Sequence, residues 1–104
     1  MGAKSKELIV VLEDLISLLE SDDETHWSNW LSKSKSRIEG SDFLGIELLL
    51  SAYGGMGSFN DLVICQLINN GKVEFTKGYT EKNEELSKLR SKAWELAESI
   101  KRDQ

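Results

Sequence analysis

Proline is absent from the 104 residues, cysteine and histidine occur once each, and no apolar run approaches the length of a membrane span. Each of these shortages excludes something. With no proline, no internal repeat and no linker composition, residues 1–104 are expected to form a single compact domain, a length that suits one core rather than two. Cys65 cannot close an intrachain disulfide, which points to a reducing, cytoplasmic compartment. A membrane helix needs about 20 apolar residues, so an integral membrane protein is excluded. The first residues, Met-Gly-Ala-Lys-Ser-Lys-Glu, lead into an amphipathic pattern rather than the apolar core of a signal peptide. His26 has no second histidine or free cysteine beside it, so a zinc site would need mostly carboxylates, and none is assigned. Bases are the remaining shortage. Thirteen Lys and Arg face eighteen Asp and Glu, for a net charge of -5. A general nucleic-acid binder needs a basic face to release phosphate counterions, and this chain has no such surplus.

What is present is mostly helical periodicity. Leu8, Val11, Leu12, Leu15 and Leu19 share one helical face over residues 4–20, and Ile9, Ile16 and Leu18 widen it. The acid link Glu20-Ser21-Asp22-Asp23-Glu24 follows, in which Asp22 or Asp23 is suited to cap a second helix over residues 25–39. Trp27, Trp30, Leu31, Ser34 and Ile38 mark the inner face of that helix. Gly40 suits a left-handed stop, and Ser41-Asp42 a new start. A third helix over residues 43–53 is apolar nearly all round (Phe43, Leu44, Ile46, Leu48, Leu49, Leu50, Tyr53), which predicts the central, most buried element.

Beyond Gly54 the period changes. Residues 62–68 are β-prone and 72–76 alternate, with Asn70-Gly71 between them as a turn signal, so a small β-hairpin is expected. It must lean on the helices, because an isolated hairpin is marginal. A helix over residues 60–67 fits the same short apolar run. A last helix over residues 80–101 carries the stripe Leu86, Leu89, Ala93, Leu96, Ala97 and Ile100. The expected fold is mainly α, about four helices with one small hairpin.

Two clusters hold the unusual residues. The first, Tyr53 through Asp61, has three glycines that let backbone N–H groups face an anion, with Ser58, Asn60 and Asp61 adding polar side chains. Read as a binding site, it would hold a small molecule, nucleotide or phosphate on Gly55, Gly57, Ser58, Asn60 and Asp61. It lacks the lysine of a phosphate-binding loop and runs from helix to strand, opposite to the usual fingerprints. The structural reading is a turn tied by Asn60 and Asp61, with the glycines against Trp27 and Trp30, locking the third helix to the second.

The second cluster is His26-Trp27-Ser28-Asn29-Trp30-Leu31, whose tryptophans are core anchors or, where exposed, binding hot spots. Cys65 reads as a small buried hydrophobe. No carboxylate pair or nucleophile relay is recognisable, so no catalytic residue and no cofactor is assigned.

Trp27-x-x-Trp30-Leu31 and Gly54-Gly55-Met56-Gly57-Ser58-Phe59-Asn60-Asp61-Leu62, with a weaker echo in Leu89-Arg90-Ser91-Lys92-Ala93 and Glu95-Leu96-Ala97, resemble a family of small bacterial proteins of unknown function. The resemblance implies a bacterial cytoplasmic protein and brings no activity, cofactor or catalytic residue. The sequence thus leads to a non-enzymatic binding protein, of an immunity type or an adaptor, for a basic protein partner. Its contact surface is expected at Asp22, Asp23, Glu24 and Trp27, charge for encounter and an aromatic for affinity. Self-association of a helical module is a further structural possibility.

Overall fold

In the computed structural model, which describes residues 2–54 and 57–103, the leucine stripe of the first helix becomes the centre of the fold. Helix α1 (Ala3–Ser21) buries Leu8, Val11, Leu12, Leu15, Leu18 and Leu19. It packs against α2 (Thr25–Glu39) and α4 (Tyr79–Arg102), and the short α3 (Leu44–Ser51) packs against the same two from the other side. Each fully buried leucine stabilises by about 1.5–3 kcal/mol, so this shared cluster is the main source of cohesion. Four helices and one antiparallel hairpin, β1 (Gln66–Asn69) with β2 (Lys72–Phe75), make up the regular structure among the described residues, as the periodicities predict. No helix among the described residues is long and apolar enough to cross a membrane.

The centre is α1, however, and not α3. Only Gly45, Ile46 and Leu49 of α3 are buried, and Leu44 is 55% exposed. An eight-residue helix covered by two neighbours cannot hide apolar side chains all round its axis. Gly45 sets its closeness to α2: a Cβ there would come within 2.8 Å of Ser34 O and Arg37 Cβ.

The links between helices also differ in detail from expectation. Gly40 keeps an ordinary φ of -83°, and Ser41 takes the left-handed step at +59°. Asp42 does restart the chain as expected, its Oδ1 accepting the Leu44 N–H at 3.0 Å. Neither Asp22 nor Asp23 caps α2. Asp23 turns the corner at φ +56°, and Glu24 is the N-cap residue without a side-chain bond. Asp22 is turned instead toward Cys65, where its two oxygens accept the backbone N–H at 3.1 and 3.2 Å.

Residues 60–67 are neither helix nor one continuous strand. A 3-10 turn (Phe59–Asp61) leads into extended backbone and then β1. Side chains hold this stretch in place of a ladder. Asn83 Oδ1 accepts the Ile64 N–H at 3.0 Å, and its Nδ2 donates to Ile64 O at 2.9 Å. Cys65 is buried, as expected, at a left-handed φ of +63°. The hairpin turns at Asn70 and Gly71, both at positive φ, which is the geometry that the Asn-Gly signal encodes. It leans on the helices at its base, where the rings of Phe75 and Tyr79, the first residue of α4, lie 4.2 Å apart, centroid to centroid, and is otherwise open. Every residue of β2 is exposed, and Leu67, Val73 and Phe75 are each more than half exposed.

Candidate functional site

The first turns of α2 carry the aromatic cluster. Trp30 is the inner member, its Nε1 donating to Leu48 O at 3.0 Å and so tying α2 to α3. Trp27, one turn earlier and partly buried, lies 5.5 Å from the Trp30 ring and 5.4 Å from Phe59, centroid to centroid. The exposed His26 meets Trp27 edge-on at 4.7 Å.

Phe59 is fully buried and joins this cluster to the glycine loop. Its N–H donates to Ala52 O at 3.0 Å, closing the loop at its base. Tyr53 meets its ring edge-on at 5.6 Å, and the Arg90 guanidinium stands 5.8 Å from its centroid. Arg90 Nη1 donates to Phe59 O at 2.8 Å and Leu62 O at 3.0 Å, so α4 clamps the far side of the loop. The Tyr53 hydroxyl donates to Arg90 O at 2.7 Å. Burial pushes the Tyr53 phenol well above its ordinary range, with the Arg90 charge opposing. Burial likewise lowers the Arg90 guanidinium, with Tyr53 and Asp61 opposing. Sequence reasoning gave Arg90 and Asn83 no role, since one polar residue on an amphipathic helix looks like any other.

Within the loop, Gly57 has a φ of +78°, and its N–H donates to Asp61 Oδ2 at 2.9 Å. Asp61 therefore ties the turn as expected, whereas Asn60 makes no such bond among the described residues and is exposed beside Tyr53 and Trp94. The glycines do not sit beneath an indole. A Cβ on Gly54 or Gly57 would meet nothing within 4 Å, and Phe59 makes the contact with Trp27 instead. Gly55 lies outside the described residues.

The two clusters that the sequence presents separately face each other across one cleft of about 300 Å³. Trp27 forms one wall and Gly57, Ser58 and Asp61 the other, with Leu62, Val63 and Gln66 completing it toward β1. The Ser58 hydroxyl is buried without a hydrogen-bond partner among the described residues. Asp61 is the only charged residue in the lining. The acid link adjoins this region, because Asp22 bonds to Cys65, the residue preceding β1. Asp23 is exposed and Glu24 half-buried. Leu62, Val63 and Gln66 are the lining residues that sequence reasoning missed; in a β-prone run they look like strand interior. Among the described residues no three His, Cys, Asp or Glu side chains gather to hold a metal ion.

No curated protein and no solved structure matches the chain. Residues 20–74, just over half of its length and the part containing the acid link, Trp27 and Trp30, the glycine loop and most of the hairpin, match one family, so the chain belongs to the family described as a domain of unknown function (DUF6966).

Proposed function

We propose that this chain is a non-catalytic binding protein of the bacterial cytoplasm, an immunity-type inhibitor or adaptor, that holds a basic protein partner by receiving a Lys or Arg side chain in the cleft between Trp27 and Asp61. The observation that carries this reading is the lining itself: an indole wall, a buried hydroxyl without a partner among the described residues and a carboxylate, with no cation among them. An arginine or lysine stem packs along apolar surface while its head meets an aromatic face and a carboxylate. The net charge of -5 and the adjoining Asp23 and Glu24 supply steering toward a basic surface. A nucleotide or phosphate on Gly57, Ser58, Asn60 and Asp61 is less well supported. The Asp61 carboxylate already takes the Gly57 N–H, and an anion entering there would meet negative charge.

Capture of native neighbouring gene products at low ionic strength tests the proposal, with Trp27→Ala and Asp61→Asn as comparisons. The second variant keeps an acceptor for Gly57 N–H while removing the charge. The expected result is a basic protein retained by the wild type, released by salt and weakened by both substitutions, with a loss of about 2 kcal/mol or more for the tryptophan. Recovery of no protein, or capture indifferent to both substitutions, would overturn it. A thermal shift with nucleotides or inorganic phosphate would transfer the assignment to the anion reading.

A further inference from the structure

Four of the seven exposed large apolar side chains among the described residues, Val63, Leu67, Val73 and Phe75, lie in or just before the hairpin. The backbone at its outer edge is equally unpartnered. Thr76 N–H donates to Cys65 O at 2.8 Å, and the register pairs Leu67 with Glu74 and Asn69 with Lys72. In an antiparallel pair the inward-facing residues alternate, so Lys72, Glu74 and Thr76 turn their backbone groups toward β1. Val73 and Phe75 therefore turn theirs outward, to an edge that no further strand pairs with among the described residues, while the Phe75 ring itself rests on Tyr79 at 4.2 Å. Edge strands of this kind are usually blunted by a lysine, a proline or a covering element. Here β2 has no proline, and its charges are one lysine and one glutamate placed two residues apart.

We propose that the β2 edge is an interface between two copies of this chain, paired antiparallel about a two-fold axis through Val73. In that register the two Val73 residues exchange N–H···O=C bonds, and Lys72 of each copy falls opposite Glu74 of the other. Both charge pairs occupy non-hydrogen-bonded positions, where side chains approach most closely. Phe75 falls opposite Gly71 of the second copy, at a position where a Cβ would meet nothing within 4 Å. Other registers lack this match. An axis through Phe75 sets Glu74 against Thr76 and Val73 against Lys77, and an in-register parallel pairing sets like charges side by side. The pattern Lys-Val-Glu-Phe is thus complementary to itself in one arrangement, joining two hairpins into a four-stranded sheet. The interface lies on the edge opposite β1 and leaves the Trp27 cleft uninvolved, so it stands independently of the proposed function.

Sedimentation equilibrium of the full chain tests this from about 10 μM to about 1 mM, a range suited to an interface below the standard size. The 11.7 kDa chain is expected to double in mass with a dissociation constant of about 100 μM. Lys72→Glu and Glu74→Lys should each raise that constant about tenfold, because like charges then face each other twice, and the double swap should restore it. Val73→Pro removes an outward N–H without touching the bonds to β1, and should leave a monomer with an unchanged circular dichroism spectrum. A monomer at every concentration would overturn the proposal. So would a dimer whose dissociation constant is unchanged by the single reversals, or one dispersed by Trp27→Ala instead.

Discussion

The Asp22 carboxylate ends α1 yet bonds to a residue more than forty positions away in the chain. Cys65 holds a left-handed φ, a conformation that costs a non-glycine residue about 1–3 kcal/mol and persists only where its surroundings impose it. Two acceptors on its N–H and the Thr76 donor on its carbonyl are what impose it. Asp22→Ala should therefore cost about 1–3 kcal/mol in urea unfolding, the penalty of an unsatisfied buried donor. Asp22→Asn, which keeps an oxygen in place, should cost less. Tyr53 governs a second residue-scale effect. Its phenol ionises well above its ordinary range when folded, so in the unfolded chain it loses its proton first. Its contribution to stability is complete below about pH 10 and then declines by about 1.4 kcal/mol per pH unit until the folded phenol itself ionises. The gap in stability between wild type and Tyr53→Phe should accordingly narrow above pH 10. Parallel curves would contradict this account of the buried phenol.

Among the elements, α3 shows where a sequence pattern misleads. Its continuous apolar face predicts the centre of the fold, but centrality depends on how much length a helix offers its neighbours to cover. Both helices pack against α2 and α4, but the eight residues of α3 bury three positions and the nineteen of α1 bury six. The short contact at Gly45 was equally invisible, because a glycine inside a helix can mean a weak helix or a close crossing. Gly45→Ala should push α3 away from α2 and cost about 1–3 kcal/mol, measured by chemical denaturation, although alanine favours helix. Trp30→Ala should cost about 3 kcal/mol, near the low end for large core aromatics, because the ring is only partly buried. It also leaves Leu48 O without its indole donor. Other features were legible. The helical stripes, the Asn-Gly turn and the Asp61 tie each follow from a local rule that no tertiary contact overrides. The cleft was legible only in halves. Trp27 and the glycine loop stand out individually, but Arg90 and Phe59, which bring them together, act across thirty residues through ordinary side chains.

For the whole molecule, polar side chains and the buried Phe59 and Ile64, rather than sheet contacts, fasten the segment between α3 and α4 to the helices. Asp22, Asn83 and Arg90 reach from three different positions on α1 and α4 to the backbone of residues 59–65. That anchoring leaves the Trp27 cleft and the β2 edge open on the surface as separate features. The central claim is that the cleft receives a cationic side chain. Its most direct test is a nuclear magnetic resonance titration of the ¹⁵N-labelled chain with an arginine-rich peptide at low salt. Chemical-shift changes should concentrate at the Trp27 indole, at residues 57–66 and at Asp23 and Glu24, and should shrink in the Asp61→Asn variant. Changes confined to other faces, or none at millimolar peptide, would contradict the account.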